Sequence, residues 1–87
     1  MAEPLRVRAS SNPNAVAGAL AGVVREEGVV ELQTIGAGAL NQAVKALAIA
    51  RGFMTSEGID LICRPAFEDI TVDDRVLTSI RLIIVPK

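Results

Sequence analysis

Residues 29–45 read VVELQTIGAGALNQAVK, and this stretch decides the fold. Val30 and Leu32 alternate with Glu31 and Gln33, and this period of two predicts a β-strand over residues 29–35. Gly36-Ala37-Gly38 then forms a tight turn, and apolar residues at helical spacing predict a helix over residues 39–53. A strand followed by a short turn and a long helix is typical of a right-handed crossover in a sheet.

The residues before this unit predict a second unit of the same kind. Residues 5–9 alternate apolar side chains with arginines, which is typical of a half-buried strand. Asn12 is a good N-cap, and Pro13 fits the first helical position because its missing N–H has no helical partner there. Apolar residues then recur at helical spacing until Gly28, which is expected to end the first helix in a left-handed conformation.

The last third of the chain predicts two antiparallel strands. Residues 59–67 are expected to form the third strand, in which Pro65 marks an edge or a bulge because it cannot donate to a ladder. Asp73 and Asp74 are suited to a hairpin tip, and residues 79–85 form the last strand. The order β-α-β-α-β-β predicts a two-layer α/β (α+β) sandwich, with a mixed four-stranded sheet and two helices on one face. One domain is expected to span residues 1–87.

The composition disfavours several classes of chemistry. The 87 residues include no His, Trp or Tyr and one cysteine, Cys63, which is expected to be a buried, inert thiol. Without His there is no Ser-His-Asp triad and no imidazole ligand for zinc, so no enzyme activity, metal or cofactor is expected. Adjacent acids such as Glu68-Asp69 are expected to lie in solvated loops. A single cysteine, no signal peptide and no apolar run of about 20 residues predict a cytoplasmic protein without a membrane partner.

The charge is small but unevenly distributed. The net charge is −1 and the pI is about 5.3, which argues against binding of nucleic acid by bulk charge. Residues 1–56 carry five basic and four acidic groups, whereas residues 57–87 carry four basic and six acidic groups. A surface that attracts polyanions would therefore be local and would lie in the first two-thirds of the chain.

The two strand-to-helix turns are expected to meet at one edge of the sheet. The carboxyl ends of parallel strands share an edge, and ligands of open α/β sheets bind there. The patch would be polar and mildly cationic, which suits phosphate or a nucleic-acid backbone. The alternative is that its residues are only caps and solvated turns. Its members are Arg8, Ser10, Ser11, Asn12, Gly36, Gly38, Asn41 and Lys45.

The second helix is apolar over most of its circumference, which is typical of a helix buried on two sides. Ala46, Ile49 and Phe53 form a second apolar strip beside the stripe that is expected to face the sheet. We expect Ile49 and Phe53 to contact a partner subunit in a homodimer or homotetramer. The alternative is that the last strand or the loop over residues 53–58 covers them. The expected sheet-facing residues are Leu40, Ala43, Val44, Leu47 and Ala50.

Two long runs, residues 11–22 and 36–46, resemble the stage V sporulation protein S family. Shorter matches follow at residues 49–53, 60–63 and 65–67, and the resemblance covers nearly the whole chain and is close to ungapped. The resemblance implies a bacterial regulatory protein. The family occurs both in bacteria that sporulate and in bacteria that make no spores.

The chain is also distantly similar to the Alba family of chromatin and RNA-binding proteins, which has the same order of elements. This resemblance implies binding of DNA or RNA by a dimer through residues 10–12, residues 36–45 and the hairpin over about residues 67–77. Where Alba carries basic residues in its first loop, this chain has Ser11 and Asn12, and its hairpin is acidic. Weak, salt-sensitive binding is therefore expected.

After these departures from the Alba pattern, the residues still expected to contact phosphates are Arg8, Lys45 and Arg64. Phe53 and Phe67 are expected to be structural, which disfavours base stacking. Together these observations predict a non-enzymatic regulatory protein that binds nucleic acid through Arg8, Ser11, Asn12, Gly38, Asn41 and Lys45. The alternative is an oligomeric protein-interaction module or a binder of a small phosphorylated ligand.

Overall fold

A computed structural model describes residues 3–87 of the chain. The elements follow the order predicted from the sequence. They are β1 (Leu5–Val7), α1 (Pro13–Glu27), β2 (Val30–Thr34), α2 (Ala37–Thr55), β3 (Leu61–Val72) and β4 (Arg75–Pro86).

The four strands form one mixed sheet in the order β1-β2-β4-β3. β1 runs parallel to β2, with Val7 opposite Thr34, while β4 is antiparallel to both β2 and β3. This arrangement confirms the predicted mixed sheet with two helices. β3 is an edge strand, and an edge is where its residue Pro65 is tolerated because one side of the strand needs no ladder donors.

Local signals fix the ends of α1. The Asn12 side chain accepts a hydrogen bond of 2.8 Å from the backbone N–H of Asn14, and Pro13 occupies the first helical position. Gly28 has a φ of 79° and donates its N–H to the carbonyl of Val24, which confirms the predicted left-handed end. β1 is shorter than predicted, because Ser11 N–H bonds to the Arg8 carbonyl and turns the chain directly after the strand.

Small side chains allow the helices to pack closely on each other and on the sheet. Leu20, Leu32, Met54 and Ile84 are the large residues that fill the core, and alanines form most of the buried surface of α2. Burial of apolar surface of this kind is the main stabilising contribution to such a domain. The buried alanines of α2 are Ala39, Ala43, Ala46 and Ala50.

The predicted core stripe of α2 is rotated from the observed one. Val44 was expected to face the sheet but is 52 % exposed, whereas Ala46, placed outside the stripe, is fully buried. The reason is that α1 packs beside α2, so the buried side of α2 points between α1 and the sheet. Ile49 is half-buried against this core, and Phe53 remains exposed.

The hairpin is longer than predicted. β3 begins at Leu61 rather than Ile59, because residues 56–60 turn the chain after α2, and it continues to Val72. Only residues 80–84 of β4 pair with β2, so residues 68–79 project past the sheet as a two-stranded segment; we call residues 67–79, which include Phe67 at its base, the arm. Asp73 and Asp74 form its tip, as predicted, with φ values of 50° and 62°. The arm helps to make the molecule 44 Å long and only 24 Å by 17 Å across.

Candidate functional site

The two strand-to-helix turns lie against each other at one edge of the sheet. The parallel pairing of β1 and β2 brings both turns to the carboxyl ends of their strands. The Gln42 side-chain amide donates a hydrogen bond of 2.9 Å to the Ser11 carbonyl and so joins the start of α2 to the first turn. Gly38 packs on Ala9 so closely that a Cβ on Gly38 would lie 2.9 Å from the Ala9 methyl carbon.

Ser11 and Asn12 already have structural partners within the first turn. The Ser11 hydroxyl accepts the backbone N–H of Arg8 at 2.8 Å, and the Asn12 carbonyl oxygen caps α1. These bonds use the acceptor oxygens, whereas the hydroxyl hydrogen of Ser11 and the amide hydrogens of Asn12 are donors that can meet an anion. The two residues can therefore serve as caps and as ligand donors together.

The first turns of α2 supply the other half of the patch. Gly36 precedes the helix with a φ of 90°, a conformation that favours glycine, and no side chain caps this helix end. Asn41 donates a side-chain hydrogen bond of 3.3 Å to Gln42, and Lys45 follows Asn41 one turn later on the helix surface. Gln42 was not predicted as a site residue, although its place one turn after Gly38 puts it on the side of α2 that meets the first turn.

Three exposed cations in the first two-thirds of the chain form no ion pair within residues 3–87. Arg25 pairs with Glu57 and Arg51 with Asp60, while Arg6, Arg8 and Lys45 lie within 4.0 Å of no carboxylate among residues 3–87. All three are exposed. Arg6 is an addition to the predicted phosphate partners, and the signal for it was its position two residues before Arg8 on the same side of β1.

A row of polar side chains crosses the face of the sheet that the helices leave uncovered, which we call the open face. Arg81 on β4 forms an ion pair of 3.0 Å with Glu31 on β2 and a second ion pair with Glu68 on β3. Glu68 was expected in a solvated loop. The expectation for Glu68 is wrong, because β3 carries it onto the sheet, where it shares Arg81 with Glu31.

Phe67 is the residue whose position differs most from its expected role. It was expected to be structural, yet 83 % of its surface is exposed, because no helix covers this part of β3. Together with Gly36, Ala37 and Leu40 it lines a cavity of about 300 Å³ beside the start of α2. The arm therefore carries an exposed aromatic ring to the second strand-to-helix turn.

The remaining chemical groups are spread over the molecule. Cys63 is partly buried, and this burial raises the pKa of its thiol. Hydrogen bonds from Arg25 lower the pKa of Glu57. The ion pair between these two residues links the end of α1 to the loop after α2.

Within residues 3–87, no three Cys, Asp or Glu side chains are grouped so that they could hold a metal ion. Neither α1 nor α2 is long and apolar enough to cross a membrane.

The chain matches the model of a known protein family over nearly its whole length. The model of the family described as Stage V sporulation protein S (SpoVS) matches residues 3–87. The matched range includes both strand-to-helix turns, both helices and the whole arm.

Proposed function

The chain belongs to the stage V sporulation protein S family, and we propose that it is a non-enzymatic regulatory protein that binds nucleic acid. It acts in the bacterial cytoplasm as a dimer or higher oligomer. The contact surface is the patch formed by the two strand-to-helix turns. Its residues are Arg8, Ser11, Asn12, Gly38, Asn41 and Lys45.

The observation that carries the proposal is the direct contact between the two turns. The bond from Gln42 to the Ser11 carbonyl and the packing of Gly38 on Ala9 hold both turns in one surface. Arg8 and Lys45 add two cations that no carboxylate of residues 3–87 neutralises. Backbone and side-chain donors beside unneutralised cations are the groups that contact phosphates in protein–nucleic acid complexes.

The small number of cations sets the expected strength of binding. Each phosphate contact releases counterions, so a surface with two or three such contacts binds weakly and loses affinity as salt rises. Asp69, Asp73 and Asp74 of the arm form no ion pair within residues 3–87, and their charges oppose binding near the tip. Arg81 pairs with both Glu68 and Glu31, so it offsets one of the two acidic charges near the base of the arm.

Fluorescence anisotropy with labelled duplex DNA, single-stranded DNA and RNA at about 50 mM salt tests this function. We expect Lys45→Glu to weaken binding about tenfold. Lys87→Glu makes the same change of charge at the opposite end of the sheet, where Lys87 follows the end of β4, and should have little effect. The proposal fails if tens of micromolar protein bind none of the three probes, or if both variants bind like the wild type.

A second candidate is an oligomeric protein-interaction module, and the exposure of Phe67 and Val76 on the arm favours it. In that case charge reversal at Asp73 and Asp74 would abolish binding of the protein partner, whereas Lys45→Glu would leave that binding intact. If the turns bind a small phosphorylated ligand instead, the wild type should bind no polynucleotide, and Lys45→Glu should abolish binding of the small ligand.

A further inference from the structure

A groove lies on the open face, between the end of β1 and the arm. Its volume is about 290 Å³, close to the lower end of the range for small-ligand sites. One wall comes from β1 and the residues just after it, and the other comes from the end of β2 and the arm. The residues that matter for its chemistry are Arg6, Arg8, Gln33, Ile35, Val72 and Leu77.

The two walls differ in character. Arg6 and Arg8 supply two guanidinium groups that lie within 4.0 Å of no carboxylate in the described part of the chain. Ile35, Val72 and Leu77 make the opposite wall apolar. A ligand that fits both walls must carry a negative charge next to a flat or compact apolar group.

The sheet holds the cationic wall in place. Arg6 lies opposite Gln33 in the register of β1 and β2 and donates a hydrogen bond of 3.4 Å to its side-chain oxygen. The amide nitrogen of Gln33 donates at 3.4 Å to Glu68, whose other oxygen pairs with Arg81. Arg81 also pairs with Glu31, so this cluster of two acids and one arginine keeps a net negative charge, but Arg6 itself contacts the neutral amide of Gln33.

We propose that this groove binds an unpaired nucleotide of a single-stranded nucleic acid, with the phosphate on Arg6 and Arg8. The base lies against Ile35, Val72 and Leu77. The inference rests on the proposed nucleic-acid function and deepens it, because Arg8 belongs both to the groove and to the patch of the two turns. A strand that follows the turns would therefore pass directly into the groove.

Size and charge favour a single strand over a duplex. In a duplex the bases are stacked and only their edges are accessible, so no base can enter a groove of this size. Few phosphate contacts are available, so binding needs a further contribution, which an inserted base supplies through apolar contact. A planar guanidinium such as that of Arg6 can also stack on a base, which an ammonium group cannot do.

The experiment compares a labelled single strand of about 12 nucleotides with the same strand in a duplex, by anisotropy at low salt. Leu77→Asp puts a carboxylate on the apolar wall and should weaken binding of the single strand about tenfold. Val76→Asp is the matched control, because the adjacent residue of β4 points to the opposite side of the arm. Circular dichroism during thermal unfolding verifies that both variants fold.

A second pair of variants does not depend on the packing of the arm. Arg6→Gln, at an exposed position, should weaken binding of the single strand and lower its salt slope by about 0.7, the value for one phosphate contact. Lys87→Gln removes one positive charge at the opposite end of the sheet, outside the groove, and should leave the slope unchanged.

The outcomes separate this inference from the function it rests on. Binding of neither probe by the wild type overturns both. Binding of the duplex as tightly as the single strand, or equal effects of each variant and its control, overturns the groove assignment and leaves the function of the two turns standing. Preference for the single strand, lost selectively in Leu77→Asp and Arg6→Gln, supports the groove.

Discussion

Gly38 and Ala9 have the smallest side chains at the contact between the two turns. Gly38 has no positive φ, so its own backbone conformation would accept alanine. What excludes a side chain is the neighbouring Ala9, whose methyl carbon would lie 2.9 Å from the new Cβ. Gly38 is therefore needed for the close approach of the two turns.

We expect Gly38→Ala to destabilise the protein by about 1 to 2 kcal/mol, although alanine is the better helix former. Ala9→Gly in the same chain should restore stability to within about 0.5 kcal/mol, because only the Ala9 Cα, 3.8 Å away, would then face the new Cβ. Urea unfolding of the wild type, both single variants and the double variant measures this coupling. Equal destabilisation by Gly38→Ala with and without Ala9→Gly would contradict it.

Local and non-local signals explain which elements could be predicted. The ends of α1 depend on Asn12 and Gly28, whose effects are felt within a few residues, and these ends are as predicted. The arm depends on pairing between residues 61–72 and 75–86, which overrides the loop-like composition around Glu68 and Asp69. The meeting of the two turns could be predicted, because it follows from two parallel strands. The exposure of Phe67 could not, because it depends on the order of strands in the sheet and on which strands the helices cover.

The tip of the arm carries two aspartates in a conformation that favours Asn-Gly. Both have positive φ, as the two central residues of a type I′ turn require. We expect Asp73→Asn with Asp74→Gly to stabilise the protein by about 1 kcal/mol, because the turn strain is relieved. The same change removes two negative charges from the arm, so binding of nucleic acid should tighten at low salt and the gain should vanish at high salt.

Glu26→Gln with Glu27→Gln is the control for the tip variant, because it removes two negative charges at the end of α1, away from the turns. Thermal unfolding and anisotropy over a range of salt concentrations give both readouts. If the control tightens binding as much as the tip variant, net charge alone determines affinity and the position of the arm has no influence.

Across the whole molecule, the ion pairs and the exposed apolar side chains lie in different places. Arg25, Arg51 and Arg81 form ion pairs with acids of the chain, whereas Arg6, Arg8 and Lys45 form none within residues 3–87. Apolar side chains are exposed on α2 and along the arm, where Val44, Phe53, Phe67 and Val76 protrude. This small protein has an extended shape, and an assembly that covers these side chains would supply burial that a single chain lacks.

We expect Phe67→Thr to dissociate the proposed oligomer more than Phe53→Gln does. Phe67 exposes 83 % of its surface and Phe53 exposes 44 %, so an interface has more apolar area to cover at Phe67. Full burial of a Phe contributes about 1.5 to 3 kcal/mol per copy, so loss of two copies in a dimer raises the dissociation constant at least about a hundredfold. Sedimentation at micromolar concentration measures this change.

A wild-type protein that sediments as a 9.1 kDa monomer contradicts the oligomer. Dissociation by Phe53→Gln alone would instead assign the interface to the strip of Ile49 and Phe53 on α2, and it would leave Phe67 exposed beside the second turn for contact with a nucleic-acid base.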